Sequence, residues 1–335
     1  MKEALYYIKT GQGQVHCTLC PHNCRLAPGK SGICKARVNN NGTLYTLADN
    51  NLCAIQTDPV EKKPLYHFYP GAKTLSIAFG GCNLSCLNCQ NYHISTVSPV
   101  QVQKYAYNSM DIVQMAINKN CDIIAYTYTE PIVYYEYMLE TAKLAHQHGL
   151  KNVMITAGYI NTAPLLELIP YLDAVNIDLK SFNNDRYLQL SKIKLIPVLE
   201  TIKTLANHGV WMEITRLLIP GYTDQLTDIE AMCHWLVAEN MAAYPLHFSR
   251  FFPMYKLKDI IPTPLSLIEK ACSIARQQGV LHVYSGNVSQ SDYQHTVCSN
   301  CNTLLVRLEG YSYQFLNFNK GHCLQCNHLV AGVWE

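Results

Sequence analysis

Between residues 74 and 290 the chain alternates short apolar runs with longer stretches whose apolar residues recur every three or four positions. The short runs read as strands: TLSIAF (74–79), DIIAYT (122–127), KNVMIT (151–156), DAVNIDL (173–179), VWMEITRLL (210–218) and PLHFSRF (245–251). VLHVYSG (280–286) is a candidate seventh. The longer stretches read as helices: SMDIVQMAINKN (109–120), PIVYYEYMLETAKLAHQHG (131–149), LTDIEAMCHWLVAEN (226–240) and LSLIEKACSIARQQG (265–279). Pro131 stands where a missing N–H costs little, and Gly149 suits the residue just past a helix end. Apolar strands alternating with helices imply a parallel sheet with helices outside it. The expected fold class is α/β: an open, partial (β/α)6 TIM-like barrel, in which chemistry gathers at the C-terminal ends of the strands.

The flanks differ. Residues 1–73 are loop-rich and carry Cys17, Cys20, Cys24 and Cys34; residues 291–335 carry Cys298, Cys301, Cys323 and Cys326. The expected organisation is a cysteine-rich N-terminal extension (1–73), a core barrel (74–290) and a zinc-ribbon-like C-terminal module (291–335). With 49% hydrophobic residues in 335, the chain can bury a large core. The net charge of +2 comes without a basic run, which argues against nucleic acid or an anionic membrane as partner. The first residues hold no apolar stretch resembling a signal peptide, and no run approaches a membrane span. Fifteen cysteines without such a signal fit metal-bound thiolates in a reducing cytoplasm better than disulfides. Cys53, Cys121, Cys233 and Cys272 stand alone on apolar faces and are expected as core fillers.

Cys82, Cys86 and Cys89 sit in GGCNLSCLNCQN, after the first strand. Three thiolates hold three corners of a cubic iron–sulfur cluster, which takes four when fully ligated. The spacing C-x3-C-x2-C resembles the signature of the radical S-adenosylmethionine (SAM) superfamily. That resemblance implies SAM on the open iron, and reductive cleavage to methionine and a 5′-deoxyadenosyl radical that abstracts hydrogen. The alternative is a zinc site borrowing a distant cysteine, but the two outer sets each supply four ligands of their own.

Polar groups recur at the other strand ends. Glu130, in TYTEP, could accept the amino group of SAM or satisfy free N–H groups at a helix start. Asp178 and Lys180 fall on the same side of their strand; a lysine facing the lumen needs a negative partner, either the SAM carboxylate or Asp178 itself. His247 could contact SAM or substrate, or be structural. Asn287 could approach adenine or ribose. Asp224 is expected to cap the helix after Pro220-Gly221.

Together DPVEKKPLYHFYPG, the Cys82 run, YTYTEP, NIDLK and HFSRFFPMYKL resemble the radical SAM member of the AmmeMemoRadiSam system, a group related to the pyruvate formate-lyase activating enzymes. The resemblance spans nearly the whole chain. It implies a [4Fe-4S] cluster on Cys82, Cys86 and Cys89, SAM contacts from Asp178 and Lys180, a late-strand histidine matching His247, and association with Memo-type and AMMECR1-type proteins. Three positions depart from the pattern. Tyr128-Thr129 replace the glycines of a Gly-Gly-Glu motif. Asn88 stands where an aromatic residue often lies near adenine, with Tyr92 as candidate substitute.

The C-terminal pattern C-x2-C-x21-C-x2-C reads as tetrahedral zinc, with an auxiliary iron–sulfur cluster as alternative. Asn302 and Asn327 follow each knuckle where a left-handed backbone is favoured. The N-terminal pattern C-x2-C-x3-C-x9-C fits zinc or a second cluster, with His16 and His22 as weaker ligands. The expected function is hydrogen abstraction by a radical SAM oxidoreductase or transferase, fed by a flavodoxin- or ferredoxin-type donor. The alternatives are activation of a glycyl radical enzyme and, in another class, a zinc-scaffold interaction protein without radical chemistry.

Overall fold

A computed structural model describes residues 1–289 and 291–335; the expected end of the barrel, Gln290, lies outside the described residues. Its centre is an eight-stranded sheet in the order β8-β7-β6-β5-β4-β3-β2-β1. The strands are β1 (Ala54–Pro59), β2 (Lys73–Ala78), β3 (Ile123–Tyr126), β4 (Lys151–Thr156), β5 (Ala174–Asp178), β6 (Trp211–Leu218), β7 (Leu246–Arg250) and β8 (Val283–Gly286). From β2 to β8 every pairing is parallel. The first and last strands do not pair, so the barrel is open. Helices α1 (Ser109–Asn118), α2 (Tyr135–Gln147), α3 (Thr162–Leu168), α4 (Asn184–Ser191), α5 (Leu195–Asn207), α6 (Leu226–Ala238) and α7 (Leu265–Gln277) form the crossovers.

From β2 to β8 each strand buries both faces, with period-two alternation sorting the side chains. Leu75, Ile77, Ile124, Val175, Met212 and Phe248 pack outward against the helices. Ile123, Ala125, Val153 and Ala174 point inward and meet Val60, Leu65 and Phe68 in a separate cluster. The lumen is therefore filled from below by the segment that joins β1 to β2. It is pinned there by polar bonds to the strands: Asn176 Nδ2 donates to the Pro64 carbonyl at 2.8 Å, and the His67 N–H to Glu213 Oε1 at 2.7 Å. The boundary expected at residue 73 thus runs between two hydrogen-bonded strands, β1 and β2, which pair antiparallel. The C-terminus closes the floor, where the Tyr69 N–H meets the Val333 carbonyl at 2.7 Å and the Val333 N–H meets that of His67 at 2.7 Å.

The flanks are small antiparallel sheets. Arg37–Asn40 and Thr43–Thr46 form a hairpin around Asn41 and Gly42, whose φ values of 48° and 90° are those of the primed turns that Asn-Gly favours. Leu304–Glu309 and Ser312–Phe315 form another. Cys53, Cys121, Cys233 and Cys272 are buried in apolar clusters, as core fillers should be. Asp224 does not cap α6: its carboxylate accepts the Gly221 N–H at 3.0 Å and closes the Pro220-Gly221 turn, because Gln225 intervenes before the helix. Among the described residues no helix is long and apolar enough to cross a membrane.

Candidate functional site

The C-terminal ends of the strands open onto contiguous cavities. One, of about 380 Å³, is lined by Cys82, Cys86, Cys89, Glu130, Asp178 and Lys180 among others. A second, of about 250 Å³, shares Cys86, Cys89, Asp178 and Lys180 and adds Asn88 and Asn287. A third, of about 710 Å³, takes in His247, Ser249 and Asn287 and reaches Glu309 and Tyr311 of the C-terminal hairpin. Volumes of a few hundred Å³ suit small-molecule ligands. All the expected SAM-side residues except His247 thus share the first two cavities.

The cysteine loop leaves β2 through Gly80 and Gly81. A Cβ on Gly80 would come within 2.5 Å of Val102, and one on Gly81, at φ 93°, within 2.5 Å of the Cys34 carbonyl oxygen. Only glycine permits both approaches. The loop is tied to the end of α4 by the N–H groups of Ser85 and Leu87, which donate to the carbonyls of Ser191 at 3.0 Å and Leu190 at 2.9 Å. Each sulfur has one polar neighbour: the Leu84 N–H at 3.3 Å from Cys82 Sγ, Ser191 Oγ at 3.3 Å from Cys86 Sγ, and Ser95 Oγ at 3.2 Å from Cys89 Sγ. Burial pushes the Cys82 thiol well up, and Glu130 adds to it; burial also raises Cys86, against the pull of Lys180. Without a cation to coordinate, such thiols stay protonated; a metal deprotonates them outright.

Glu130 lies at a helix start and on the wall of the first cavity. It precedes the helical turn Pro131–Tyr134 and accepts the Ile132 N–H at 3.5 Å. It also faces the first cavity, where it accepts from Thr156 Oγ1 and from the Ala157 N–H at 2.8 Å. Burial pushes its carboxyl up to about 7, with the Thr156 and Ala157 bonds opposing. Lys180 Nζ lies 3.0 Å from Asp178 Oδ2. Burial works against the lysine's charge, but Asp178 and Cys86 hold its pKa above the usual range.

Tyr128, in the place of a glycine, keeps a glycine's backbone, with φ 65°. That left-handed conformation is strained for a bulky residue and persists only where neighbours enforce it. The Tyr128 hydroxyl donates to Asp58 Oδ2 at 2.7 Å, Lys63 Nζ lies 4.9 Å from its ring centre, and Asn91 Nδ2 donates to its carbonyl at 2.6 Å. Burial opposes the charge of Asp58, yet bonds from Lys62, Lys63 and Tyr128 hold its carboxyl well below the usual range.

His247 stands apart from the cysteines. Its Nε2 lies 2.7 Å from Glu213 Oε2, both residues are buried, and its ring packs against Tyr66 and Tyr284. Asn287, at φ 59°, donates from Nδ2 to the Arg250 carbonyl at 3.2 Å. Tyr92 does not take an adenine-side position. It stacks on Tyr255 at 4.6 Å and is 41% exposed, because the turn Tyr92–Ser95 carries it to the surface. Sequence reasoning missed Thr156 and Thr215, each near a strand's C-terminal end. Thr215 Oγ1 and Asn88 Oδ1 are buried without a partner, and both residues line the second cavity. Three thiols without a fourth, together with these orphan atoms, fit a three-cysteine cluster and a polar ligand beside it.

The C-terminal cysteines are arranged differently. Their four sulfurs lie within 4.8 Å of one another, with Cys298–Cys326 at 3.6 Å and Cys301–Cys323 at 3.7 Å. Zinc–sulfur bonds of about 2.3 Å in a tetrahedron place sulfurs ~3.8 Å apart. Asn302 and Asn327 both have φ 58°. The N-terminal cysteines line a cavity of their own.

Comparison with known proteins agrees with this geometry. Residues 76–236 match the family model described as the radical SAM superfamily. An uncharacterised protein of Methanocaldococcus jannaschii is 43% identical over 319 residues, 95% of either chain. The pyruvate formate-lyase-activating enzyme of Clostridium pasteurianum is 21% identical over 57% of this chain and 84% of its own. The pyruvate formate-lyase 1-activating enzyme of Escherichia coli K12 is 24% identical over 63% of this chain and 91% of its own. In fold, the chain resembles Streptococcus suis SuiB crystallised with S-adenosylmethionine, with a TM-score of 0.51 at 11% identity over 68% of this chain and 53% of that one.

Proposed function

The chain belongs to the radical SAM superfamily, and from that premise we propose that it cleaves S-adenosylmethionine reductively and abstracts hydrogen from a substrate held beside the cysteine trough. Cys82, Cys86 and Cys89 would hold three irons of a [4Fe-4S] cluster and leave the fourth for SAM. When bound and reduced, the cluster would supply one electron to the SAM sulfonium, giving methionine and a 5′-deoxyadenosyl radical. Glu130 accepts from the SAM amino group, and the bonds from Thr156 and Ala157 fix its orientation. Lys180, held by Asp178, faces the SAM carboxylate. Asn88 and Thr215 offer their unmet oxygens to hydroxyl or amino groups of the nucleoside. Asn287 lies where the nucleoside end meets the third cavity, which is the space open to substrate. His247, fixed by Glu213, lies on the substrate side. The C-terminal cysteines hold structural zinc.

The observation that carries the reading is that the three thiols, Glu130 and Lys180 line one cavity. Anaerobic incubation with SAM and dithionite should yield 5′-deoxyadenosine, and C86A should give only background. Sustained, reductant-dependent product from C86A would sink the reading.

A second reading is activation of a glycyl radical enzyme, supported by the activating-enzyme relatives. It predicts a glycyl radical signal in a partner protein by electron paramagnetic resonance; SAM cleavage with every partner silent would count against it. The segment DPVEKKPLYHF, which runs from β1 into the lumen, carries the resemblance to the AmmeMemoRadiSam group. Memo-type and AMMECR1-type proteins are therefore the first partners to test.

A further inference from the structure

We propose that Cys17, Cys20, Cys24 and Cys34 ligate a second, redox-active [4Fe-4S] cluster that relays electrons to the Cys82 site through the shared wall at Asn83. The site is built from Gln14–Cys17 and the turns that follow it, where the Cys17 N–H donates to the Cys24 carbonyl at 2.9 Å and the Gly32 N–H to that of Arg37 at 2.9 Å. All four cysteines line one largely apolar cavity. Among the described residues, only the C-terminal set has three or more metal-ligating groups within 4.8 Å of one another. The N-terminal sulfurs are thus spread around a void, whereas a single zinc ion would gather them to ~3.8 Å. Four cysteines around a larger centre match the ligand set of a fully ligated iron–sulfur cube.

Two buried polar residues also line this space. Asn83, 2% exposed, lines the cavity with an unpartnered Oδ1, although its Nδ2 donates to the Tyr159 carbonyl at 2.9 Å. Arg37, 1% exposed, also lines it; Nη1 lies 3.7 Å from Cys17 Sγ, and Nε has no partner. Arg37 is paired with Glu136. A buried guanidinium beside the sulfurs offsets the added negative charge of a reduced cluster. Gly32 also borders the site, where a Cβ would sit in van der Waals contact, 3.6 Å from Cys34 Sγ and 3.9 Å from Cys24 Sγ.

The site shares its wall with the cysteine trough. Asn83 directly follows Cys82, and its carbonyl lies 2.7 Å from His22 Nε2, between Cys20 and Cys24. On the other side, the Cys34 carbonyl abuts Gly81. One peptide layer therefore separates the two cysteine sets, a short path for an electron. A low-potential one-electron carrier gives one electron to the N-terminal site, which passes it to the Cys82 side and returns to its oxidised state. The relay's destination rests on the function proposed above; occupancy of the site does not.

The test uses the full chain assembled anaerobically with iron, sulfide and zinc. The C82A/C86A/C89A variant should retain about four irons and, with dithionite, a reduced-cluster paramagnetic signal, against about eight irons in the wild type. A C20A/C24A variant should retain about four irons and cleave SAM with dithionite, but about tenfold more slowly with reduced flavodoxin. Zinc in place of iron in the C82A/C86A/C89A variant would overturn the cluster. An undiminished flavodoxin rate in C20A/C24A, or equal loss with both reductants, would overturn the relay. Iron and signal in the C82A/C86A/C89A variant, with a wild type unable to cleave SAM, would retire the proposed reaction and leave this site standing.

Discussion

The cysteines at residues 82–89 and those near the C-terminus differ in one decisive respect: whether their sulfurs face each other or a cavity. Cys298, Cys301, Cys323 and Cys326 touch in pairs at 3.6 and 3.7 Å, leaving no position for a further ligand. Cys82, Cys86 and Cys89 each meet a hydroxyl or a backbone N–H, and together they border about 380 Å³ shared with Glu130 and Lys180. A closed set suits a structural ion, and an incomplete set beside a cavity suits chemistry. Ligand count is visible in spacing alone; the cavity is not.

The strongest way to break this contrast is to exchange the roles. Replacing Cys86 or Cys89 by alanine should abolish 5′-deoxyadenosine formation, measured by chromatography after anaerobic turnover. Replacing Cys323 by serine should remove zinc, measured by elemental analysis, and lower the melting temperature by about 4 °C or more. Dithionite-driven SAM cleavage should survive that change; its complete loss in a folded C323S protein would erase the distinction.

A smaller effect is expected beside the open set. K180A should weaken SAM binding about tenfold, read by equilibrium dialysis, because Asp178 then faces the SAM carboxylate without its cation. The smallest is a pH dependence. The Glu130 carboxyl is raised to about 7 from an ordinary value of 4.5, so the folded protein binds the proton more tightly than the unfolded chain. Stability from this group accordingly falls as pH rises from about 4.5 to about 7. An ionised carboxylate accepts the N–H of the SAM amino group better than a protonated one, so SAM affinity should rise as pH increases through about 7 and then level. The dependence should vanish in E130Q, and an equal slope in that variant would remove Glu130 from the amino-group site.

The parallel strands were legible because each buries both faces and so appears as an apolar run flanked by turns, as TLSIAF and DIIAYT do. Helices α3 and α4 carry no clear sequence signal, since patterns of seven and eight residues blur into the neighbouring loops; α5, thirteen residues long, follows α4 after only three residues, so the two merge with no strand between them. Strand β1 escaped because it pairs antiparallel at an edge and reads as polar: Gln56, Thr57 and Asp58 dominate it. At the site, the cysteines and the Asp178–Lys180 pair were visible in spacing and alternation. Thr215 was not, because a lone threonine carries no signal until its oxygen is seen without a partner. Tyr128 looked like the loss of a glycine; its backbone nevertheless adopts φ 65°, which Asp58, Lys63 and Asn91 enforce from distant segments.

By itself, the sequence determined the alternating elements, the three cysteine sets and the incomplete ligand count at Cys82, Cys86 and Cys89, because periodicity and ligand spacing are local. Only the tertiary structure decided that residues 60–69 fill the barrel floor, that Glu130 and Lys180 face the same cavity as the thiols, and that Asn83 divides two cysteine sets. These depend on contacts between segments far apart in the chain, where burial and shape act and local pattern carries no information.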